Sequence, residues 1–234
     1  DAAIADPVEA ADCFSYMNAL YAVAAPELGE DVFLPAPVAK TETEGFVTGD
    51  GVHYTLDGGA MTAAVTYTVV PAAEGPLYMD IALPDYPSVI VSVNGETAAY
   101  YATAQTNGSL YLGSFAAGEE VTVRLQAFSD ITAEHTAFAT EDDAALARYA
   151  EALKAGGCTL VKHSSSHFSG TFTTGNGDAL LVLTIPYDEA WRVYLDGELV
   201  RPVKVQDCLT AIPVTSGAHT LEMRYIPEGL IPGA

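Results

Sequence analysis

The sequence is short of positive charge. Its 234 residues carry nine Lys and Arg against 31 Asp and Glu, a formal net charge of −22. A surface that poor in cations argues against nucleic-acid binding, which needs basic phosphate contacts, and against direct adsorption to anionic lipid. Long apolar runs are missing too: the longest candidate, Leu180 to Ile185, stops at Pro186, far below the roughly 18 to 20 residues of a membrane helix. There are three cysteines, Cys13, Cys158 and Cys208, and no CxxC spacing, which argues against a zinc ribbon or a thioredoxin-type motif. A Cys158–Cys208 disulfide and three free thiols both remain compatible with that count. The chain lacks an initiator Met, a basic leader and a signal-type hydrophobic region, as expected of an excised or processed fragment. HExxH, GxSxG, P-loop, EF-hand and strand-following GxGxxG patterns are all missing, so the sequence nominates no catalytic residue.

What is present points to packed structure. Half of the residues are hydrophobic and only 17% are charged, the reverse of a disordered, self-repelling chain. The segment Asp6-Pro7-Val8-Glu9 has the form of a helix start. Apolar residues at Ala10, Cys13, Phe14, Met17, Leu20, Tyr21 and Ala24 then mark one helical face, stopped by Pro26 and Gly29. From Val32 to Phe128 short β-branched and aromatic runs alternate with turn signals such as Asp57-Gly58-Gly59, Asn94-Gly95, Asn107-Gly108 and Ala117-Gly118, the rhythm of an antiparallel sandwich. Thr140-Glu141-Asp142-Asp143 predicts a second helix with an acidic first turn, ending at Gly156-Gly157. The strand rhythm then resumes up to Tyr225. The expected fold is mainly β: two tandem, related, jelly-roll-like antiparallel β-sandwich domains with an amino-terminal helix and a connecting helix. The boundaries read as 1–31 for the helical segment, 32–138 for the first sandwich, 139–157 for the connector and 158–234 for the second sandwich.

The two β-blocks repeat one another. Leu77 to Pro84, Val91 and Gly95 recur as Ala179 to Pro186, Val193 and Gly197 at a constant offset of 102 residues, and Leu110, Phe115 and Gly118 recur as Leu209, Val214 and Gly217 at 99. Asn-Gly and Asp-Gly alone are generic hairpin turns. Proline, alternation and glycine recurring together indicate an internal repeat.

Chemistry is harder to place. His163-Ser164-Ser165-Ser166-His167 invites a metal, but two histidines at that spacing share a face on a helix, whereas the Ser- and Gly-rich surroundings predict a solvated loop; no metal and no cofactor is expected. Glu141-Asp142-Asp143 reads as helix-start electrostatics. The informative cluster is Pro186-Tyr187-Asp188-Glu189-Ala190-Trp191, which brings the single Trp, a Tyr and two carboxylates to one strand connection. Stacking aromatics with hydrogen-bonding carboxylates suit sugar rings, so Tyr187, Asp188 and Trp191 are the candidate carbohydrate-contacting residues. Trp191 also stands in register with Val193 and Leu195 on the inward face, the place of a core anchor, and that reading is favoured over a binding platform. Tyr86 occupies the equivalent loop of the first block.

At this cluster the sequence closely resembles a known family. Ile185, Pro186, Tyr187, Asp188, Trp191, Asp196, Gly197, Gly217, His219, Tyr225, Pro227, Gly229 and Gly233 fill the places of a run of the type "sIPYDxGWxVxVDG" followed by "GxHxIxxxYxPxGxxxG". Both runs are found in the carboxy-terminal extracytoplasmic region of the YfhO family of bacterial membrane proteins. Upstream, Phe14, Asn18, Leu20 and Tyr21 suit that region's first helix, while Ala190 stands where the family usually has Gly. The resemblance implies a polytopic parent similar to GT-C-type glycosyltransferases, associated with glycosylating lipoteichoic acid or other cell-envelope polymers. It also implies that residues 229–234 are a juxtamembrane approach, and that the partners are the membrane-embedded remainder of the same polypeptide and an envelope glycopolymer. The family's catalytic carboxylate is expected outside this chain, so the region reads as a non-catalytic scaffold or acceptor-positioning module. The acidic surface leans towards scaffolding. The competing reading is a free-standing carbohydrate-binding or adhesion module.

Overall fold

A computed structural model of the chain describes residues 4, 6–48, 52–84, 88–101, 108–155, 157–175, 179–227 and 229. In chain order the elements are α1 (Cys13–Ala24), β1 (Phe33–Pro35), β2 (Val38–Glu44), β3 (Phe46–Thr48), β4 (His53–Leu56), β5 (Ala63–Val69), β6 (Gly75–Ala82), β7 (Val89–Val93), β8 (Glu96–Tyr101), β9 (Gly108–Phe115), β10 (Val121–Ala127), β11 (Ile131–Thr132) and β12 (His135–Glu141). They continue as α2 (Asp143–Ala155), β13 (Thr159–Ser164), β14 (His167–Thr174), β15 (Ala179–Pro186), β16 (Trp191–Leu195), β17 (Glu198–Val200), β18 (Val203–Val205), β19 (Leu209–Val214) and β20 (Gly217–Tyr225). Strand pairing among the described residues is antiparallel throughout. The chain divides into two compact units, one of Ala10–Ala19 with Glu30–Ala147 and one of Asp1–Glu9 with Leu20–Gly29 and Arg148–Ala234.

In the first of these units a four-stranded sheet, β1-β12-β6-β9, faces a five-stranded sheet, β2-β5-β10-β7-β8, and a small β11-β4-β3 sheet sits beside them. Alternation drives the packing. Val121, Val123, Leu125 and Ala127 of β10 are buried while the residues between them are not, and they join Val65, Leu77, Met79, Ile81, Val91 and Phe138 in one core. Each fully buried Val, Leu or Ile side chain contributes about 1.5 to 3 kcal/mol relative to exposure. In the other unit β13-β14-β20-β16-β17 faces β15-β19-β18 over a smaller core of Phe172, Leu183, Val193, Ile212, Val214, Leu221 and Met223. The fold is therefore a pair of antiparallel β-sandwiches.

The two five-stranded sheets have the same order, β2-β5-β10-β7-β8 matching β13-β14-β20-β16-β17 strand for strand. The repeat extends to one hydrogen-bonded device. Asn94 (φ 49°) and Gly95 (φ 86°) form the turn between β7 and β8, and Asp196 (φ 53°) and Gly197 (φ 86°) form that between β16 and β17, the left-handed pair that a type I′ hairpin requires. The Asn94 amide donates to the Thr122 carbonyl at 2.9 Å, while the Thr122 amide donates back to Asn94 Oδ1 at 2.9 Å. Asp196 and Thr220 make the same exchange, at 2.9 Å and 2.7 Å. The final strands thus correspond as Thr122 to Thr220, an offset of 98 residues.

Both helix starts differ from expectation. The first helix begins at Cys13, not at Asp6: Asp12 is its cap, accepting the Ser15 amide through Oδ1 at 2.8 Å. The Asp6 segment is used otherwise. Gln206 takes the Val8 amide on Oε1 at 3.0 Å and donates to the carbonyls of Ile4 and Asp6 at 2.9 and 2.6 Å, so side-chain bonding replaces the helix that Pro7 suggested. The second helix begins at Asp143 with Asp142 as cap, accepting the amides of Ala144 and Ala145 at 2.9 Å each. Thr140 and Glu141 belong to β12, because their backbone groups pair with β6 and β1. Gly156 lies outside the described residues, as do Tyr86 and Asn107.

Helix α1 is held by polar anchors more than by an apolar face. Phe14 is its one buried residue, stacked on Phe33 at 5.6 Å. Asn18 donates to the Phe33 carbonyl at 2.8 Å and accepts the amides of Val32 and Phe33 at 3.0 and 2.9 Å. At the amino-terminal end of the helix Asp80, buried on β6, accepts the Cys13 amide and His135 Nε2, each at 2.9 Å.

Candidate functional site

Strand β15 ends at Pro186, where its pairing with β19 shifts register, and the chain turns back through Tyr187 to Ala190 into β16. Asp188 organises that turn. Its Oδ1 accepts the Ala190 amide at 2.8 Å, its carbonyl accepts the Trp191 amide at 3.2 Å, and its Oδ2 accepts the Tyr225 hydroxyl at 2.8 Å. The Ala190 amide and the Tyr225 hydroxyl hold the Asp188 carboxyl below its ordinary pKa, and the same bond pushes the Tyr225 phenol up. With both oxygens occupied, Asp188 is a turn-locking group and not a free acid or base. Ala190 is buried and has no positive φ, so this turn accepts a Cβ where the resembling family has Gly.

Trp191 lies half-buried against the core of its sandwich. It meets Tyr225 edge-on, with ring centroids 5.1 Å apart, and Phe168 at 6.0 Å. It is therefore both packed and accessible. A cavity of about 730 Å³ opens beside it, lined among others by Tyr187, Glu189, Trp191, Arg192, Arg201 and Pro202. Tyr187 and Trp191 both line the cavity, and Asp188 does not.

A second polar cluster fixes the other half of the motif. His219 is buried, with Nδ1 on Asp196 Oδ2 at 2.7 Å and Nε2 on the Thr215 carbonyl at 3.0 Å. Its partners are a carboxylate and a carbonyl, so both ring nitrogens donate. The Asp196 and Thr215 bonds accordingly raise its pKa, and the Thr220 amide and His219 lower that of Asp196. Sequence reasoning named both residues without foreseeing that they touch, since the contact follows from the hairpin register.

His163 and His167 correct the expectation that only a helix brings them together. They flank the tight β13–β14 turn, which stacks their rings at 4.5 Å, with His163 Nε2 2.7 Å from Ser169 Oγ and His167 Nε2 2.9 Å from Glu222 Oε1. Among the described residues no group of three or more His, Cys, Asp or Glu is placed to hold a metal ion. All three cysteines are free; Cys208 is exposed and the other two are half-buried.

The profile of the bacterial membrane protein family YfhO matches residues 11–234. The chain belongs to the YfhO family. Within this YfhO chain the motif residues build two internal locks, Asp188–Tyr225–Trp191 and Asp196–His219–Thr220, while Gly233 lies outside the described residues. No helix among the described residues is long and apolar enough to cross a membrane. No curated protein matches the chain. Among solved structures, a β-glucosidase from Kluyveromyces marxianus in complex with glucose matches at 16% identity over 45% of this chain, with a TM-score of 0.28, and the chain spans only 14% of that enzyme. A family 35 carbohydrate-binding module from Clostridium thermocellum matches at 10% identity, over 47% of this chain and 98% of the module, with a TM-score of 0.27. A GH2 β-galacturonidase from Eisenbergiella tayi matches at 9% identity, over 84% and 39%, with a TM-score of 0.32. Likenesses this distant carry no functional weight.

Proposed function

We propose that this chain is a non-catalytic, extracytoplasmic module of a polytopic membrane protein that glycosylates lipoteichoic acid or another cell-envelope polymer, and that it holds the acceptor polymer or scaffolds the enzyme's outer face. Family membership over residues 11–234 supports the membrane-embedded parent. One observation favours acceptor holding: the motif carboxylates Asp188 and Asp196 are occupied by internal donors, while Tyr187 and Trp191 remain on a cavity wall. An aromatic wall offers the apolar face of a sugar ring a partner without requiring charge.

In cells carrying the full-length protein, Tyr187→Ala at unchanged protein abundance is expected to lower the sugar incorporated per polymer unit. Unchanged incorporation refutes acceptor holding and leaves scaffolding. Scaffolding fails in turn if deleting residues 158–234 leaves incorporation intact. Placement is tested separately: exposed Cys208 should react with a membrane-impermeant maleimide on intact cells, and labelling only after permeabilisation would overturn the extracytoplasmic assignment. The alternative of a free-standing binding module is favoured if the isolated chain binds glycan while those cellular variants have no effect.

A further inference from the structure

The cavity beside Trp191 is electrically unlike the chain that surrounds it. Residues 1–157 hold 23 acidic and four basic residues, whereas residues 158–234 hold eight and five. At the cavity the balance inverts among the described residues, with Arg192 and Arg201 lining it beside one carboxylate residue, Glu189. These arginines are also unneutralised. Lys40, Arg124, Lys204 and Arg224 each meet a carboxylate; among the described residues Lys154, Lys162, Arg192 and Arg201 form no salt bridge, and of these four only the two arginines line the cavity. Arg192 Nη1 donates to the Glu189 carbonyl at 3.1 Å.

The strand register sharpens the anomaly. Arg192 of β16 stands directly opposite Arg224 of β20, and Arg224 directly opposite His167 of β14. Like charges at directly opposed positions destabilise an antiparallel pair. Glu222 relieves part of this by accepting Arg224 Nη2 at 2.6 Å and His167 Nε2 at 2.9 Å, but it stands opposite Tyr194 and not Arg192. Among the described residues the guanidinium on the cavity side has no counter-ion, in a chain where acids outnumber bases more than threefold.

We infer that the cavity takes a sugar bearing an anionic substituent, a phosphate or a carboxylate, with Arg192 and Arg201 holding the anion and Trp191 and Tyr187 holding the ring. Planar guanidinium groups present paired donors that match the oxygens of either anion. Hydroxyl groups of the ring have Glu189 as an acceptor. The assignment rests on the cavity being the acceptor site proposed above, and it explains how so acidic a chain tolerates an anionic partner: the contact falls where, among the described residues, arginines outnumber carboxylates.

Trp191 is the single tryptophan, so its fluorescence reports this cavity in the intact chain. Four probes separate the possibilities: N-acetylglucosamine, its 1-phosphate, glucuronate and inorganic phosphate. The phosphorylated sugar, the uronate or both should bind about tenfold more tightly than the neutral sugar, equivalent to roughly 1.4 kcal/mol, and whichever does identifies the anion. That preference should shrink as salt is raised. Inorganic phosphate should compete with the charged sugars and not with the neutral one. The double variant Arg192→Gln, Arg201→Gln changes only exposed side chains and should erase the preference while retaining neutral-sugar binding. Equal binding of neutral and charged sugars, or a preference that survives in the double variant, overturns the anion assignment and spares the acceptor site. A cavity silent to every probe overturns both.

Discussion

Asp80 offers the sharpest test of how the first sandwich holds its helix. The carboxylate is 6% exposed and accepts the Cys13 amide and His135 Nε2 at 2.9 Å each. Burial pushes its pKa up, but the Cys13 amide, the His135 ring and the Cys13 thiol outweigh burial and hold it below the ordinary carboxylate value. Reciprocally, burial and the neighbouring Asp80 push the Cys13 thiol up to about 12. Hydrogen bonds to a charged group contribute about 1.5 to 3 kcal/mol each, and removing one member of a buried charged set costs about 3 to 5 kcal/mol. Asp80→Ala strips the first amide of α1 and the imidazole together, so urea unfolding followed by circular dichroism at pH 7 should show a loss in that range. Asp80→Asn keeps one acceptor oxygen and should lose about 1 to 2 kcal/mol. A group whose pKa is depressed by folding stabilises above its unfolded value, about 3.9, and loses that contribution as pH falls through the folded value. The gap between wild type and Asp80→Asn should therefore hold steady from pH 7 to about 4 and close below it. A loss under about 1 kcal/mol for Asp80→Ala, or a gap indifferent to acid, would refute this account of the anchor.

Three further outcomes follow from the second sandwich. Trp191→Ala removes a half-buried ring packed on Tyr225 and Phe168; it should cost about 2 to 3 kcal/mol, less than a fully buried aromatic, and lower Tm by roughly 5 to 10 °C, whereas an unchanged Tm would make the ring a free platform. Gly170→Ala would set a Cβ 2.6 Å from the Thr159 carbonyl oxygen and 3.0 Å from Cys158 Sγ; backbone cannot yield there, so edge strand β13 should loosen at a cost of about 1 to 3 kcal/mol, measured as faster amide exchange over 159–164, and native exchange in the variant would count against it. His219 has a raised pKa, so its contribution is complete below its unfolded value and fades as pH rises through the folded one; the Tm difference between wild type and His219→Gln should be larger at pH 6 than at pH 9, and an equal difference would show that the ring acts only by packing.

Strands with a clear inward face were legible because alternation survives in the letters: β7 occupies the bounds that Val89, Val91 and Val93 suggest, and all three are buried. Strand β2 escaped for the opposite reason. Val38 to Glu44 is an edge strand exposed along its whole length, so no apolar period marks it. Strand β12 was hidden behind the acidic run after it; its Thr140 is fully buried, with an Oγ1 that has no hydrogen-bond partner among the described residues, an unexpected place for what reads as a helix cap. At the candidate site, composition was enough to single out Tyr187, Asp188 and Trp191, but their division of labour depends on Tyr225, 37 residues beyond Asp188. Gln206 gave no signal at all. It adopts a positive φ of 50° without being Gly or Asn, and its bonds to Ile4, Asp6 and Val8 cross about 200 residues.

The turn lock shared by the two sandwiches has a consequence for their behaviour in acid. In one copy the acceptor is the amide of Asn94 and in the other the carboxylate of Asp196, so two hairpins of one design differ at a single ionisable atom group. Asparagine has no proton to gain. As pH falls through the depressed pKa of Asp196, the β16–β17 hairpin forfeits an acceptor and its bond to His219, while β7–β8 keeps its own intact. Each molecule thus carries its own reference: the duplicate with asparagine reports what the shared geometry contributes, and the duplicate with aspartate reports what charge adds.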